Sequence, residues 1–474
     1  MLKSTDADAP RKQDLESPFL DREVLETTLP DSALDTRLKE LTEGSPFTKV
    51  SSHPSRSQSF PPVTVSQSLS EAYGDGSARA YAPVSFEGEV PPPRGVPPFE
   101  HFFQPYKPDH SGLAWIPDRD EQKLTALNPG FIDDKDSLEN SPLQDALTNL
   151  LTENADFSRH LSSSSVRLGK AGPDDKIRVA LIDLTEKRLT NPQFAGWGST
   201  VAVDCGSAAK VAVLYAAFQL KADLEHIAKT EGLHKTPDLV QLVTKRWRTV
   251  GIAEPPKVEE IFNGDQDPPV LAFADDFENA INNIVFHAAN VASSLMIKKL
   301  GFPYIASVLW HSGLRHPRRG GLWLYWNFDD KAPQEWSPPA LPAPGPVFPH
   351  TATALSLATF YALLAQGRLP NPGATSEMQR ILKETWYSSV LPSAVITAKV
   401  GLLYNLSKCL NWETKDGKRR CTTYEVSAAH EGDLIENGKL RYAAAIMTVG
   451  LPDGEGVLRK LIVQLDDLIR KNNP

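Results

Sequence analysis

Apolar and polar positions along this chain fall into two regimes. From residue 1 to about 115, short apolar islands are scattered among Ser, Pro, Asp, Glu and Arg with no sustained period. Such a stretch predicts a tail or linker rather than a packed domain. From about 140 the pattern becomes regular. Pro142-Leu-Gln-Asp-Ala-Leu-Thr-Asn-Leu-Leu has helical spacing, and Lys176-Ile-Arg-Val-Ala-Leu-Ile-Asp-Leu reads as a buried strand. Residues 194–203 predict a second strand. Helices are then expected over 207–229, 236–250, 275–300 and 302–312. Residues 318–349 are rich in Pro, Trp and Gly and predict a long loop, while His350 opens another helical pattern and 376–387 one more. Strands return at 394–404, 421–432 and 442–450, and a terminal helix spans 457–471. His430-Glu431-Gly432, between two of these late strands, reads as a turn or as a lining of the cleft, with the turn the favoured reading. Strands, then helices, then strands predict an α+β fold: an antiparallel sheet flanked by helices, with a large helical insertion over about 206–390.

Composition narrows the functional classes. The chain has 474 residues and a formal net charge of −9. It offers no basic stripe for a phosphate backbone, so nucleic acid is not an expected partner. No apolar run is long enough for a membrane span. The N-terminus lacks the apolar core of a secretory signal, so a cytoplasmic protein, or export by a route other than the general secretory one, is expected. The three cysteines share no metal-binding spacing, and neither a metal nor a cofactor is expected. Cys409 and Cys421 flank an Asp416-Gly417 hairpin signal, where a bridge and two free thiols both remain open. Cys205 reads as a small buried residue.

The candidate chemistry starts at Ser207-Ala-Ala-Lys210, the chain's only Ser-x-x-Lys. It stands where a strand passes through Gly206 into a helix that is apolar all round, and such a helix is buried. Residues i and i+3 share a helix face. Serine needs a base to become a nucleophile, and a desolvated lysine, with its pKa lowered by burial, can serve. Two further stations follow. Asn290 precedes an amphipathic helix. Lys399-Val-Gly401 interrupts an apolar strand, where lysine is depleted and glycine marks close approach of another group.

Taken together, in this order and setting, Ser207-x-x-Lys210, x-x-Asn290 and Lys399-x-Gly401 resemble the motif set of the serine β-lactamase and penicillin-binding-protein superfamily. The resemblance covers roughly 140–474. It implies Ser207 as the acylated nucleophile and Lys210 as its base. It also implies Asn290 on the substrate's acyl-side amide and Lys399 near the substrate carboxylate. The backbone N–H groups of Ser207 and Leu402, the residue after Gly401, would form the oxyanion hole. The family's second serine falls on Ala288, and the hydroxyl residue of its third motif is Val400. Its deacylating glutamate has no clear counterpart. Glu335 in the Trp- and Pro-rich loop is a candidate for that role, and His287 for proton transfer. The expected function is a serine hydrolase acting on an amide, β-lactam, cell-wall peptide or ester. The alternative is a lapsed, β-lactamase-like binding or cargo module. The island Leu15-Glu-Ser-Pro-Phe-Leu-Asp-Arg-Glu-Val-Leu-Glu reads as a short recognition segment or a transient helix in a tail; within it Glu16-Ser-Pro-Phe-Leu-Asp-Arg-Glu also resembles leader segments of proteins associated with bacterial contractile injection systems, and implies a protein partner for the tail.

Overall fold

In the computed structural model, residues 141–474 are described except 186–187, 189–191, 250–254, 264–270, 287–289, 313, 317–319, 325–326, 329–349, 368, 384–386 and 416–417. The whole of the expected tail, 1–115, therefore lies outside the described residues. The described chain falls into two units, 405–425 and the remainder.

In the larger unit an antiparallel sheet is built from both ends of the chain. Helix α1 (Pro142–Glu153) comes first. Strands β1 (Ile177–Asp183) and β2 (Gln193–Trp197) follow. The last strands are β6 (Val395–Lys415), β7 (Lys418–Asn437) and β8 (Leu440–Thr448). Their spatial order is β2-β1-β8-β7-β6. Ala180 lies opposite Ala445, and Gly432 opposite Ala445 from the other side. This is the α+β arrangement that the element order predicts. Between β3 (Val203–Asp204) and β5 (His350–Ala352) run five longer helices: α2 (Lys210–Thr230), α3 (Thr236–Thr249), α4 (Asp275–Phe286), α5 (Asn290–Leu300) and α6 (Phe302–His311). Strand β4 (Trp323–Leu324) joins β3 and β5 in a small second sheet. Helices α7 (Ala354–Ala365) and α8 (Pro372–Ile381) precede β6, and α9 (Gly454–Asn472) closes the chain.

Two cores form on opposite faces of the main sheet. Alternation along β7 sends Leu434 into the core with α2 and α7, and Ile435 into the core with α1 and α9. Helices α2 and α7 are apolar nearly all round, as central helices must be. α7 starts sharply because Thr353 and Ser356 form a reciprocal capping box. α9 is one-sided: Val457, Leu461, Leu465 and Ile469 face the sheet.

Several sequence expectations are corrected. The strand expected at 194–203 is broken into β2 and β3. His350 belongs to a strand, because its segment pairs with Asp204 and Leu324 before the Thr353 cap lets a helix begin. The single helix expected at 275–300 is two, α4 and α5. The helix expected at 376–387 starts earlier, at Pro372, and stops at Ile381. His430-Glu431-Gly432 is no turn: it lies inside β7, paired with Met447, Ile446 and Ala445. Polar letters misled there because the polar side chains are buried rather than solvated. No helix among the described residues is long and apolar enough to cross a membrane. Among them, too, no cluster of three or more His, Cys, Asp or Glu side chains could hold a metal ion.

Beneath β7, on the α9 side, sits an unusual acidic cluster. Ser388, Glu431 and Asp433 are all fully buried. The Ser388 hydroxyl lies 3.2 Å from Glu431 Oε1 and 3.1 Å from Asp433 Oδ1. One hydroxyl carries one hydrogen, so the second contact needs a proton from a carboxyl. Burial, reinforced by Glu431, pushes the Asp433 carboxyl well above its ordinary value. The folded state thus binds more protons than the unfolded state above the ordinary Asp pKa, and Asp433 costs more stability as pH rises from there. Asp433→Asn keeps the shape and removes this cost. The variant should melt roughly 2–4 °C higher than the parent at neutral pH, the shift about 1 kcal/mol gives in a domain of this size. Thermal scans from pH 4 to pH 8 should show the gap closing toward the acid end.

Candidate active site

Ser207 enters the structure on a single tight turn. The segment Gly206–Ala209 is a 3-10 turn that runs directly into α2, whose first residue is Lys210. The Lys210 backbone N–H donates to the carbonyls of Ser207 and Ala208. Gly206 stands at φ +49°, a left-handed conformation that glycine adopts without steric cost. Asp204 closes the turn by accepting the Gly206 N–H at 3.1 Å. Cys205 is pinned from behind: its N–H and its thiol both donate to the His350 carbonyl, at 2.8 and 3.2 Å. It is the small buried residue that the sequence suggests.

The start of β6 lies against this turn, backbone to backbone. A Cβ on Gly401 would fall 2.0 Å from the Cys205 carbonyl oxygen and 2.8 Å from the Ala208 nitrogen. A Cβ on Gly206 would fall 2.9 Å from the Leu402 carbonyl oxygen. Two glycines, one in each segment, therefore set the contact that brings Ser207 and Leu402 together. This is what glycine inside an apolar strand signalled.

Alternation along β6 sorts the third motif. Ile396, Ala398 and Val400 pack in the core on the α9 side. Val400 is buried in that hydrocarbon, and packing accounts for its apolar character. Lys399 is also buried, with its amine donating to the Val400 carbonyl at 3.3 Å.

The Lys210 side chain is 1% exposed. Its amine donates to Asn290 Oδ1 at 3.0 Å, joining the first and second stations directly. It also lies 5.0 Å from the centre of the Phe328 ring. Burial first, and the positive charge of Lys399 second, hold the Lys210 amine well below the ordinary lysine value. A neutral amine can donate one hydrogen to Asn290 and keep a lone pair. Ser207 is half-buried and Asn290 exposed at the head of α5, so the two lysines lie deeper than the polar groups that open to solvent.

Ser207, Lys210, Asn290, Lys399, Gly401 and Leu402 thus belong to connected pieces of one structure. His287 and Glu335, with Ala288, lie outside the described residues. Sequence reasoning missed Phe328 and His350, whose rings stack at 3.9 Å and are parallel to within 1°. Phe328 comes from the irregular Trp- and Pro-rich stretch, where no period marks which residue turns inward. His430, on the face of β7 that also carries Gly432 and Leu434, is wholly buried; desolvation lowers its imidazole to about 3, so it stays neutral.

No protein-family model matches the chain, and no curated protein matches it. Solved structures similar to it in arrangement include PBP-A, at 15% identity and TM-score 0.38, covering 70% of this chain and 97% of that one. A β-lactamase from Sphaerobacter thermophilus DSM 20745 is similar at 12% identity and TM-score 0.39, covering 63% and 92%. A class A β-lactamase representative from Bacteroides cellulosilyticus DSM 14838 is similar at 10% identity and TM-score 0.40, covering 70% and 100%. At these identities and scores no residue's role passes from them to this chain.

The contact at Gly401 is testable by itself. Gly401→Ala must push β6 away from the turn, since the atoms it meets are backbone. The variant should lose several degrees of melting temperature, a cost of roughly 1–3 kcal/mol for overpacking. Val400→Thr, at the next position, should leave the separation of β6 and the turn unchanged; crystal structures of both variants check this.

Proposed function

We propose that this protein is a serine hydrolase of the β-lactamase and penicillin-binding type, forming an acyl-enzyme on Ser207. The observation that carries the proposal is the buried Lys210 amine, which burial and Lys399 bias toward its neutral form. Its substrate would be an amide, a β-lactam, a cell-wall peptide or an ester. Lys210 takes the Ser207 hydroxyl proton as the oxygen attacks the carbonyl. The carbonyl oxygen turns anionic and is met by the N–H groups of Ser207 and Leu402, held close by Gly206 and Gly401. As the adduct collapses, the bond to the leaving nitrogen or oxygen breaks, and the proton on Lys210 passes to that atom. Donors fixed in advance are usually the largest electrostatic contribution to such a step. Asn290 has two tasks: its Oδ1 orients the Lys210 amine, and its amide N–H₂ faces the substrate's acyl side. Lys399 acts as a fixed positive charge that lowers the Lys210 pKa and favours the oxyanion.

Phe328 supports a slow second half-reaction. Hydrolysing the ester on Ser207 needs a water beside a base. An apolar ring near the Lys210 amine disfavours water on that side. The acyl-enzyme should therefore be long-lived.

Intact-mass spectrometry after exposure to β-lactams and activated esters tests the proposal. The parent should gain the mass of one acyl group, and Ser207→Ala should not. A parent that stays unmodified by every compound at millimolar concentration would sink the hydrolase reading.

The pH dependence gives a second test. The acylation rate should rise with pH and reach its plateau well below the ordinary lysine pKa, because the base is the neutral amine. Replacing Lys399 by Met removes a like charge, so the Lys210 pKa rises and the whole profile moves to higher pH. A profile that stays in place would show that Lys210 is not the titrating base.

A further inference from the structure

Cys409 and Cys421 are joined by a disulfide, with Cα atoms 5.8 Å apart, which resolves the alternative that the sequence left open. The third cysteine, Cys205, is free, and its N–H and thiol both donate to the His350 carbonyl. His350 is thus pinned to the turn that carries Ser207. Its strand is held on both sides as well: Thr351 pairs with Asp204, and His350 itself with Leu324.

Phe328 lies four residues beyond Leu324, so the chain leaves β4 beside His350 and returns over it. The Phe328 ring is buried, and one of its faces lies parallel on the half-buried His350 imidazole, with centroids 3.9 Å apart. The Lys210 amine stands over the same ring, 5.0 Å from its centre. The imidazole already covers one face, so the other is left to the amine. The order is imidazole, phenyl ring, amine. A phenyl ring returns to an ammonium less than the water it displaces, so this neighbour too favours a neutral Lys210.

We propose that His350 is a positioning residue for the Lys210 base: its imidazole clamps Phe328 on the amine, and the ring keeps water from that side of the base. The inference rests on Lys210 acting in an acyl-enzyme mechanism. It assigns the lifetime of the ester to a residue that works through Phe328. Release of the acyl group is hydrolysis. The oxygen of water bonds to the ester carbonyl carbon, the bond to Ser207 Oγ breaks, and Lys210 carries one of water's protons to that Oγ. A ring held on the amine denies water the place from which this transfer starts.

Two measurements on the full chain test this. The first needs no acylation of Ser207: brief treatment with acetic anhydride, read by peptide mass spectrometry. Acetylation of Lys210 should be about tenfold greater in His350→Ala than in the parent, the upper end of what one aromatic pair contributes. His350→Phe, which keeps a ring under Phe328, should stay at the parental level. The second is release of the acyl group, followed by intact mass. It should be about tenfold faster in His350→Ala and parental in His350→Phe. On a Phe328→Ala background, His350→Ala should add nothing to either reading, because the two rings act as one unit. The bonds of His350 to Cys205 and Leu324 use its backbone, so the melting curve of His350→Ala should match the parent's. Lys210 acetylated equally in parent, His350→Ala and His350→Phe would overturn the proposal, whatever Ser207 does. So would release that stays parental while acetylation rises, or a full effect of His350→Ala without Phe328. A parent that never acylates would sink the hydrolase reading alone, and the acetylation series would still decide whether His350 holds the ring on Lys210.

Discussion

Everything at the candidate site depends on keeping two lysine amines out of water. Like charges in a low-dielectric interior repel strongly, and each amine loses its hydration on burial. The cheapest response is for one of them to give up its proton. Lys210 is the one for which burial and a charged neighbour act in the same direction. Helix α2 accomplishes the burial. It is apolar nearly all round, and it begins at Lys210 itself, so the charge-bearing residue sits at the edge of a hydrophobic rod with no room to move toward solvent.

The sheet supplies the second constraint. β6 places alternate side chains in opposite cores, so Lys399 and Gly401 face the turn while Ala398 and Val400 face α9. This alternation explains in one stroke why a lysine and a glycine share a strand. The glycine lets the backbones of β6 and the Ser207 turn touch. The lysine, two residues earlier on the same face, then stands in range of Lys210. Neither residue could be moved by one position without exchanging its core for the other, because the side-chain period of a strand is two.

Much of this was legible in the letters. An apolar helix headed by Ser-x-x-Lys, and a lysine and glycine inside a strand, are local violations of packing preferences, and such violations are what chemistry leaves in a sequence. The α+β order was legible for the same reason: periods of 3.6 and 2 survive in single segments. What was hidden depended on contacts between distant segments. Phe328 comes from a stretch with no period, and its place beside Lys210 follows from the pairing of β4 with β5. His350 carries a helix-like sequence after it, yet is held as a strand by Asp204 and Leu324. His430-Glu431-Gly432 looked like a turn, because sequence polarity cannot tell a charge in water from a polar side chain held in a core. The 405–425 unit was visible only as two short strand signals around Asp416-Gly417, since exposed strands lack the alternation that burial imposes.

The two lysines also bear on whether the chemistry has lapsed. Replacing a buried ionised group by a well-packed apolar one of similar volume is commonly neutral or stabilising. A module used only for binding through other surfaces would fold as well or better with methionine at 210 and 399. Asn290 would then have no amine to orient, and the close approach of Gly401 to Cys205 would be steric risk without return. The structure instead holds each of these features against its local cost. A lysine biased toward neutrality, an amide that accepts from it and two glycines that let backbones touch are the parts that the proposed attack on a carbonyl would use together.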